Sequence, residues 1–335
     1  MKASVVRPGD LGPAEVELWR GFQAAAELDS PFLAPEFAQA AGEVSPLARV
    51  AVVYDGADLV GFLPFAARRF GGAKGIGCIA PGIDMSNSCA FIPSGASWTL
   101  EEVVRAARID FFEFALLVAD QRPATGAARR LDALSIDLSR GFGDYVASVR
   151  QSGGKFVKTL MQKRRSEERN DPALRFEYAT GDMAVLQTLF EMKSARLRQI
   201  GARDLFAHTR ARELVERLAV SKSPACAGAN SCLRSGERVL AVNLGLRSST
   251  VFGGWFSAYD TGEASRSPGS VCLLSLIEAA AESGLRTFDL GPGDHEYKRR
   301  LATAAVDVFA GSVGRPSLGR RSSMRVGRLL AKARR

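Results

Sequence analysis

The order of apolar and polar positions along the chain predicts an α/β protein built from two similar halves. In each half, two segments with helical spacing precede a turn-linked pair of strands, and a further helix and strand follow. The segments are helices at 13–26 and 35–43 and a hairpin at 49–66 in the first half, and helices at 182–199 and 208–219 and three strands within 231–260 in the second. The repeated order predicts duplication of one α/β module. Two unrelated domains that share a common hairpin are the alternative.

These elements divide the chain into two modules and a tail. A length of 335 residues suits two domains of ordinary size. We predict a first module over 1–140, a second over 141–314 and a basic tail over 315–335. The tail holds eight basic residues and no acidic one, and removing them from the net charge of +9 leaves +1 for the rest of the chain. Because a nucleic-acid-binding domain carries its charge on a folded face, no nucleic-acid partner is expected.

Cysteine and histidine usage favours a cytosolic protein without a metal. The five cysteines are scattered and form no C-x-x-C pair, which is typical of reduced thiols. His208 and His295 are the only histidines in the sequence, so no metal site is expected. The first residues lack the apolar core of a secretion signal, and no segment has the roughly 20 apolar residues of a membrane span. We therefore expect a cytoplasmic location.

The basic tail modifies that expectation. Apolar residues lie among its arginines in the pattern of a basic amphipathic helix. This pattern predicts weak contact with an anionic membrane surface, and hence a protein peripheral to the inner membrane. A frayed, solubilising chain end is the alternative.

A helix start in the second half has the features of a phosphate site. A proline, Pro268, fits the first turn of the apolar helix predicted over 269–283. Backbone amides at a helix start favour an anion, and a glycine lets a pyrophosphate approach the backbone closely. The candidate phosphate-binding residues are Arg266, Ser267, Gly269 and Ser270. A plain helix start is the alternative.

A second candidate region follows the short strand predicted over 286–290. Two glycines around a proline, at 291–293, predict a tight loop at the C-terminal end of this strand, where α/β folds place their ligands. Carboxylate, imidazole, phenol and amine groups suited to proton transfer lie around this loop. They are Asp289, Asp294, His295, Glu296, Tyr297 and Lys298. A solvated, charged surface is the alternative.

The order of these motifs resembles that of the CelD-like GNAT acyltransferases. That family is associated with bacterial cellulose and exopolysaccharide synthesis and is related to the FemAB tandem-GNAT proteins. The matching positions are Tyr259, Asp260, Ser267, Pro268, Gly269, Asp289, Gly293, Asp294, Tyr297 and Lys298. The resemblance covers roughly 140–312 and is weaker before it, at 30–37 and 60–66. The classical Arg/Gln-x-x-Gly-x-Gly/Ala pyrophosphate loop is not reproduced in residues 261–270.

The resemblance implies a tandem GNAT-like, FemAB-like α/β fold with two mixed-sheet modules. It also implies transfer of an acyl group from acetyl-CoA or another acyl-CoA to an amine or hydroxyl. The implied acceptor is a sugar of a surface polysaccharide or of its precursor, and no metal takes part. Under this interpretation Asp294 or His295 is the base and Tyr297 is the acid. The implied substrate contacts are Asp289, Lys298 and Tyr259.

Two other functions fit the same motifs. One is FemAB-like aminoacyl transfer from charged tRNA to a cell-wall peptide, which the nearly neutral body disfavours. The other is a non-catalytic GNAT module that assembles with a polysaccharide synthase. A basic helix predicted over 153–168 either holds an anionic acceptor or is merely solvated.

Overall fold

The computed structural model describes residues 1–67, 85–95, 98–124, 128–151, 154–291, 293 and 295–314. Its helices are α1 (Pro13–Ala25), α2 (Pro35–Val44), α3 (Leu100–Ala106), α4 (Gly141–Gln151), α5 (Lys155–Asn170), α6 (Met183–Gln199), α7 (Thr209–Ala219), α8 (Pro268–Glu282) and α9 (Glu296–Leu301). Its strands are β1 (Lys2–Val6), β2 (Ala48–Asp55), β3 (Asp58–Ala66), β4 (Ile92–Pro93), β5 (Phe111–Val118), β6 (Ala128–Asp137), β7 (Leu174–Glu177), β8 (Lys222–Ser223), β9 (Cys226–Ser235), β10 (Arg238–Arg247), β11 (Val251–Tyr259), β12 (Thr287–Asp289) and β13 (Ala304–Gly314).

The chain forms two compact units. The first contains Met1–Ala133 and the residues from Val306 onward, and the second contains Leu134–Ala305. This division differs from the one predicted from chain order, which places residues 134–140 in the first module and 306–314 in the second. The predicted basic tail, with its membrane contact, lies outside the described residues.

The first unit is built on a four-stranded antiparallel sheet in the order β1-β2-β3-β4. The β2–β3 hairpin turns where the sequence predicts it, with Gly56 in the left-handed region at φ 61°. Trp19 of α1 is fully buried and stacks on Phe62 of β3 at a ring distance of 4.9 Å. In the same unit β13 pairs antiparallel with β5, and its Phe309 and Val313 join the core.

The second unit is built on a mixed sheet that runs β12-β11-β10-β9-β7. Neighbouring strands are antiparallel except β11 and β12, which are parallel. The last residues of β6 add an antiparallel neighbour to β12, with Ile136 opposite Phe288. The parallel strands β11 and β12 are connected through α8, because parallel strands need a crossover connection rather than a tight turn.

Helices cover both faces of this sheet. Successive residues of a strand point to opposite faces of the sheet. The contacts of two successive β10 positions therefore show which helices lie on each face. The Asn243 amide of β10 lies 3.2 Å from the thiol of Cys272 in α8. Phe256, which pairs with the next β10 residue, contacts Phe206 at a ring distance of 5.0 Å, and Phe206 packs on Phe190 of α6. The helix α8 therefore lies on one face, with α4 and α5, and α6 lies on the other, with α7.

The structure confirms the predicted helices and hairpins that it describes, with ends moved by a few residues. It adds β1, β4, β8 and α9, which the sequence did not predict. The α9 segment has only six residues, too few for the spacing of apolar positions to indicate a helix. No described helix is both long enough and apolar enough to cross a membrane.

Candidate active site

Two parallel strands diverge in the middle of the second unit. Pairing between β11 and β12 covers three positions and ends at Gly253 and Asp289. The strand β11 continues to Tyr259, and in the described part of the chain no strand pairs with its β12-side edge beyond Gly253. Six further residues at about 3.3 Å each make this edge about 20 Å long. We call the opening between β11 and the chain after β12 the fork.

A β-bulge and a glycine shape the fork. Leu244 pairs with Phe256 and Gly245 with Gly254, so Trp255 is an extra residue that bends β11. At the apex, a β-carbon on Gly254 would lie only 3.0 Å from the Asp289 carbonyl oxygen. Glycine therefore lets the two strands stay close until the point where they separate.

Asp289 ends β12 at the apex of the fork. Its carboxylate accepts a hydrogen bond of 2.8 Å from the Gly291 amide. Burial raises the pKa of this carboxyl to about 6, although the Gly291 amide and the nearby charge of Lys298 act in the opposite direction. A carboxylate with such a pKa can accept and release a proton near neutral pH.

Lys298 lies on α9 and returns to the same loop. Its side chain is only 7% exposed, and its Nζ donates to the Gly291 carbonyl oxygen at 3.2 Å. The return needs two left-handed residues, Gly291 at φ 72° and Gly293 at φ 110°. Burial lowers the pKa of Lys298 to about 8; the charge of Asp289 opposes this shift, whereas that of Lys193 adds to it. Asp289 and Lys298 thus form an acid–base pair at the apex.

Lys193, on α6, is a site residue that the sequence analysis missed. Its half-buried ammonium donates to the carbonyl oxygen of Ser257, on β11 inside the fork, at 3.1 Å. Burial lowers the pKa of Lys193. No motif marks this position, because a lysine in the middle of a charged helical segment is ordinarily solvated. A signal was nevertheless present, since Lys193 falls three residues after the apolar pair Leu189-Phe190, on the inward face of the predicted helix.

The structure describes two of the three residues predicted as acid or base. Asp294, the first candidate base, lies outside the described residues. His295 and Tyr297 are both exposed, and their rings stack at a centroid distance of 5.9 Å. Tyr297 is 38% exposed, and burial of its hydroxyl group raises its pKa. A phenol with a raised pKa is a weaker acid than Lys298, whose pKa is lowered to about 8, so the pKa shifts favour Lys298 as the proton donor.

The predicted phosphate site lies at the beginning of α8. Ser267 is in the left-handed region at φ 54° and precedes Pro268. The amides of Ser270 and Val271 both donate to the Ser267 carbonyl oxygen, and Pro268 has no amide hydrogen. Of the first four residues of α8, 268–271, Gly269 is therefore the one whose amide remains available to a ligand.

Tyr259 closes this end of the fork. Its ring packs against the first turn of α8, because a β-carbon on Gly269 would lie 3.0 Å from Tyr259 Cδ1. The side chain is 44% exposed, so part of the ring remains accessible. Tyr259 is thus in contact with the helix start, whereas Asp289 and Lys298 lie at the opposite end of the fork.

The contacts of Arg266 differ from those expected of the predicted phosphate ligand. Its guanidinium donates to Glu167 at 2.7 Å and to Asp171 at 2.6 Å, and Glu263 lies 3.8 Å away. These carboxylates compensate its charge, and they would repel a pyrophosphate. The contacts favour a structural role, in which Arg266 ties the segment before α8 to α5.

The basic helix α5 is also partly neutralised within the structure. Lys163 pairs with Glu167, and Arg164 pairs with Glu278 of α8 at 2.5 Å. Lys155, Lys158 and Arg165 are exposed. One ion pair and the buried residues Val157 and Leu160 therefore hold this helix against α8, and its exposed charges face solvent.

The two candidate regions, the start of α8 and the loop after β12, lie at the same end of the sheet. Since β11 and β12 are parallel, their C-terminal ends point the same way. Tyr259 and the start of α8 follow the first strand, and the loop with Asp289 and Lys298 follows the second. The fork connects them along about 20 Å of exposed strand edge. Among the described residues no group of three or more His, Cys, Asp or Glu could hold a metal ion.

Comparison with known proteins now identifies this region. Residues 154–299 match the family model described as an acetyltransferase (GNAT) domain. The matched residues lie within the second unit. The protein is therefore an acyltransferase. The match runs from α5 into α9 and so includes the fork, its apex and the start of α8.

Solved structures are similar over most of the chain. The C-terminal domain of a protein named as a lysylphosphatidylglycerol synthetase, from Agrobacterium fabrum, is 13% identical, with a TM-score of 0.58, over 92% of this chain and 94% of that one. FemX is 9% identical, with a TM-score of 0.49, over 78% and 87%. A tandem GNAT protein from the clavulanic acid pathway is 10% identical, with a TM-score of 0.46, over 93% and 98%. The family match, the two compact units and the similarity at a TM-score of 0.58 confirm the predicted GNAT-like α/β fold with two modules. The search of curated proteins found no match.

Proposed function

We propose that this GNAT domain transfers an acyl group from acyl-CoA, held along the fork, to an amine or hydroxyl of a sugar acceptor. The observation that carries the proposal is the pair at the apex, where Asp289 has its pKa raised to about 6 and Lys298 has its pKa lowered to about 8. Between these values Asp289 is a carboxylate and Lys298 is an ammonium. One group is then ready to accept a proton and the other to donate one.

The reaction follows from these two protonation states. The Asp289 carboxylate takes a proton from the acceptor nitrogen or oxygen, which attacks the thioester carbonyl carbon and forms the new C–N or C–O bond. The C–S bond then breaks, and the Lys298 ammonium protonates the departing CoA thiolate. The products are the acylated acceptor and CoA, with Asp289 protonated and Lys298 neutral. Proton exchange with water restores both groups.

The donor is assigned to the α8 side of the fork. The start of α8 offers the Gly269 amide and a helix dipole to the CoA phosphates, and Tyr259 lies beside it. The thioester carbonyl then lies along the β12-side edge of β11, where backbone amides can stabilise an oxyanion. Because Arg266 is already ion-paired, this arrangement does not rely on it.

The acceptor class rests on the motif resemblance to the CelD-like acyltransferases. That resemblance supports a sugar amine or hydroxyl of a bacterial surface polysaccharide or of its precursor. The competing functions are aminoacyl transfer from charged tRNA and a non-catalytic role in a synthase complex. Both predict that acyl-CoA is neither bound nor consumed.

Binding of acyl-CoA separates these possibilities first. Acetyl-CoA at about 100 times its Kd stabilises the fold by about 2.7 kcal/mol, which corresponds to a rise in Tm of about 5 °C or more. Longer acyl-CoA thioesters are measured in parallel, with dephospho-CoA thioesters as a control for the phosphate contacts. Absence of a shift with every thioester would contradict the proposal.

Substitution at the apex then tests catalysis. Asp289→Asn and Lys298→Met are each expected to lower the rate of acceptor-dependent CoA release about 10²- to 10⁴-fold, the range of general acid–base assistance. Glu296→Gln is the matched control, since Glu296 lies on the same short helix but is exposed and pairs with Arg300. Wild-type turnover in both apex variants would refute the assignment.

A further inference from the structure

Lys193 is a half-buried cation with no counter-charge among the described residues. Its ammonium is half-buried and donates to one backbone oxygen, that of Ser257. No carboxylate pairs with Lys193 in the described part of the chain. Taking an ammonium out of water without a partner is costly, so buried lysines are normally paired. Such a group inside a reaction cleft is a candidate for binding an anion that arrives with a substrate.

The position of Lys193 separates it from the donor. It reaches the fork from α6, whereas the start of α8, where the CoA phosphates are proposed to bind, lies on the opposite face of the sheet. An anion that meets Lys193 therefore approaches from the α6 face. The molecule that approaches from that face is the acceptor.

The surroundings of the Lys193 ammonium suit a small oxyanion. A lysine ammonium has three donors, and the Ser257 carbonyl uses one of them. The second cation nearby is Lys298, whose pKa is lowered by burial and, to a smaller extent, by the charge of Lys193. Among the described residues, the acid near these two lysines is Asp289, and its charge interacts with that of Lys298. The α6 acid nearest in sequence, Glu191, is exposed and accepts a hydrogen bond from Gln187 instead.

From these contacts we infer that Lys193 is a specificity-determining residue that binds an anionic group, phosphate or carboxylate, carried by the acceptor sugar next to the position that is acylated. The inference rests on the proposed acyl transfer at the fork and defines its acceptor more narrowly. It assigns no proton transfer to Lys193. A sugar phosphate and a uronic acid share the chemistry that Lys193 recognises.

Matched acceptors test this inference. CoA release from acetyl-CoA is measured with glucosamine, glucosamine 6-phosphate and 2-amino-2-deoxyglucuronate, and with the corresponding hydroxyl series of glucose, glucose 6-phosphate and glucuronate. Each series changes only the anionic group. Wild-type protein is expected to prefer one anionic member about 10- to 100-fold in kcat/KM, the range of a hydrogen bond to a charged group. Preference for phosphate or for carboxylate identifies the source of the anion.

Three variants separate charge from structure. Lys193→Gln keeps a donor for the Ser257 carbonyl but removes the charge, and it should abolish the preference by raising KM for the anionic acceptor. Lys193→Arg should retain the preference. Arg196→Gln is the control, because it removes a charge from the same helix at an exposed residue that bonds only Gln199 among the described groups. Equal use of neutral and anionic acceptors by wild type, or an unchanged preference in Lys193→Gln, would overturn the inference.

Direct binding distinguishes failure of this inference from failure of the proposed function. Calorimetry with inorganic phosphate and with glucosamine 6-phosphate, without acyl-CoA, is expected to show binding to wild type that Lys193→Gln weakens about 10-fold or more. Absence of acyl-CoA binding or turnover counts against the proposed acyl transfer alone. Equal anion binding by both proteins, or none by wild type, counts against Lys193.

Discussion

At the scale of single residues, the proposed reaction depends on how burial changes the pKa values of two side chains of opposite charge. Solvent exclusion favours the neutral forms, and so moves the pKa of Asp289 up and that of Lys298 down. Their mutual attraction limits both shifts. The two values lie on either side of neutral pH, which suits a base and an acid that act in the same reaction.

A pH–rate profile tests this pair. The plot of kcat/KM against pH should be bell-shaped, because activity requires the Asp289 carboxylate and the Lys298 ammonium together. Activity is lost as pH falls through about 6, where Asp289 is protonated, and as pH rises through about 8, where Lys298 loses its proton. These limbs belong to the coupled pair. In Lys193→Gln the alkaline limb should move to higher pH, since a positive charge that lowers the pKa of Lys298 is gone. A profile that stays flat from pH 5 to pH 9 would rule out the pair.

The sequence identified the residue types of the site better than their roles. Asp289 and Lys298 were predicted as substrate contacts on the motif resemblance, and the structure brings them together through the Gly291 loop. Their pKa shifts depend on burial by residues far away in the chain, which no motif records. Lys193 was missed for the same reason, because its partner Ser257 lies 64 positions later.

At the scale of elements, one parallel strand pair and one helix start create the site. A bulge at Trp255 and the early end of β12 open the fork, and α8 begins where β11 ends. The strands and α8 were predicted from apolar spacing and turn residues. The early end of the pairing between β11 and β12 was not predicted, because the register of a strand depends on its partner strand.

Arg266 provides a test at this scale. If it ties the segment before α8 to α5, Arg266→Gln should lower the free energy of unfolding by about 1–2 kcal/mol, given the partial exposure of its ion pairs. Its effect on KM for acyl-CoA should be less than about 3-fold. Urea denaturation and CoA-release kinetics measure the two quantities, and Arg169→Gln, on the exposed side of α5, is the control. An increase of 10-fold or more in KM with unchanged stability would restore the predicted phosphate contact.

Acid should weaken the same contacts. The pKa values of Glu167 and Asp171 are both lowered in the folded state, chiefly through hydrogen bonds that oppose the burial of Glu167. A carboxyl with a lowered pKa contributes stability that is present above its unfolded pKa and is lost as pH falls through its folded pKa. The stability difference between wild type and Arg266→Gln should therefore shrink below about pH 4.

At the scale of the whole molecule, chain order and compact units do not coincide. The strand that ends the described chain, β13, contributes Phe309 and Val313 to the core of the first unit. Ile136, which the predicted boundary at residue 140 places in the first module, belongs to the core of the second unit. Hydrophobic pattern predicts that these segments are strands but does not specify the sheet that each one joins. The division predicted at residue 140 relied on chain order alone.

Phe309→Ala tests which unit β13 stabilises. Truncating this buried ring is expected to cost about 3–5 kcal/mol. Hydrogen exchange should show lost protection in β5 and in the β2–β3 hairpin, while β10 and β11 remain protected. Val306→Ala, at an exposed position of the same strand, is the control. Loss of protection confined to β10 and β11 would show that β13 stabilises the second unit instead.

A crystal structure with a non-hydrolysable acyl-CoA analogue tests the central claim most directly. We expect the analogue's carbonyl between β11 and the loop after β12, within hydrogen-bonding reach of the β11 edge, and its sulfur near Lys298. Its phosphates should lie at the Gly269 amide, on the face opposite Lys193. An analogue bound away from the fork, with Asp289 and Lys298 out of reach of the thioester position, would contradict the account.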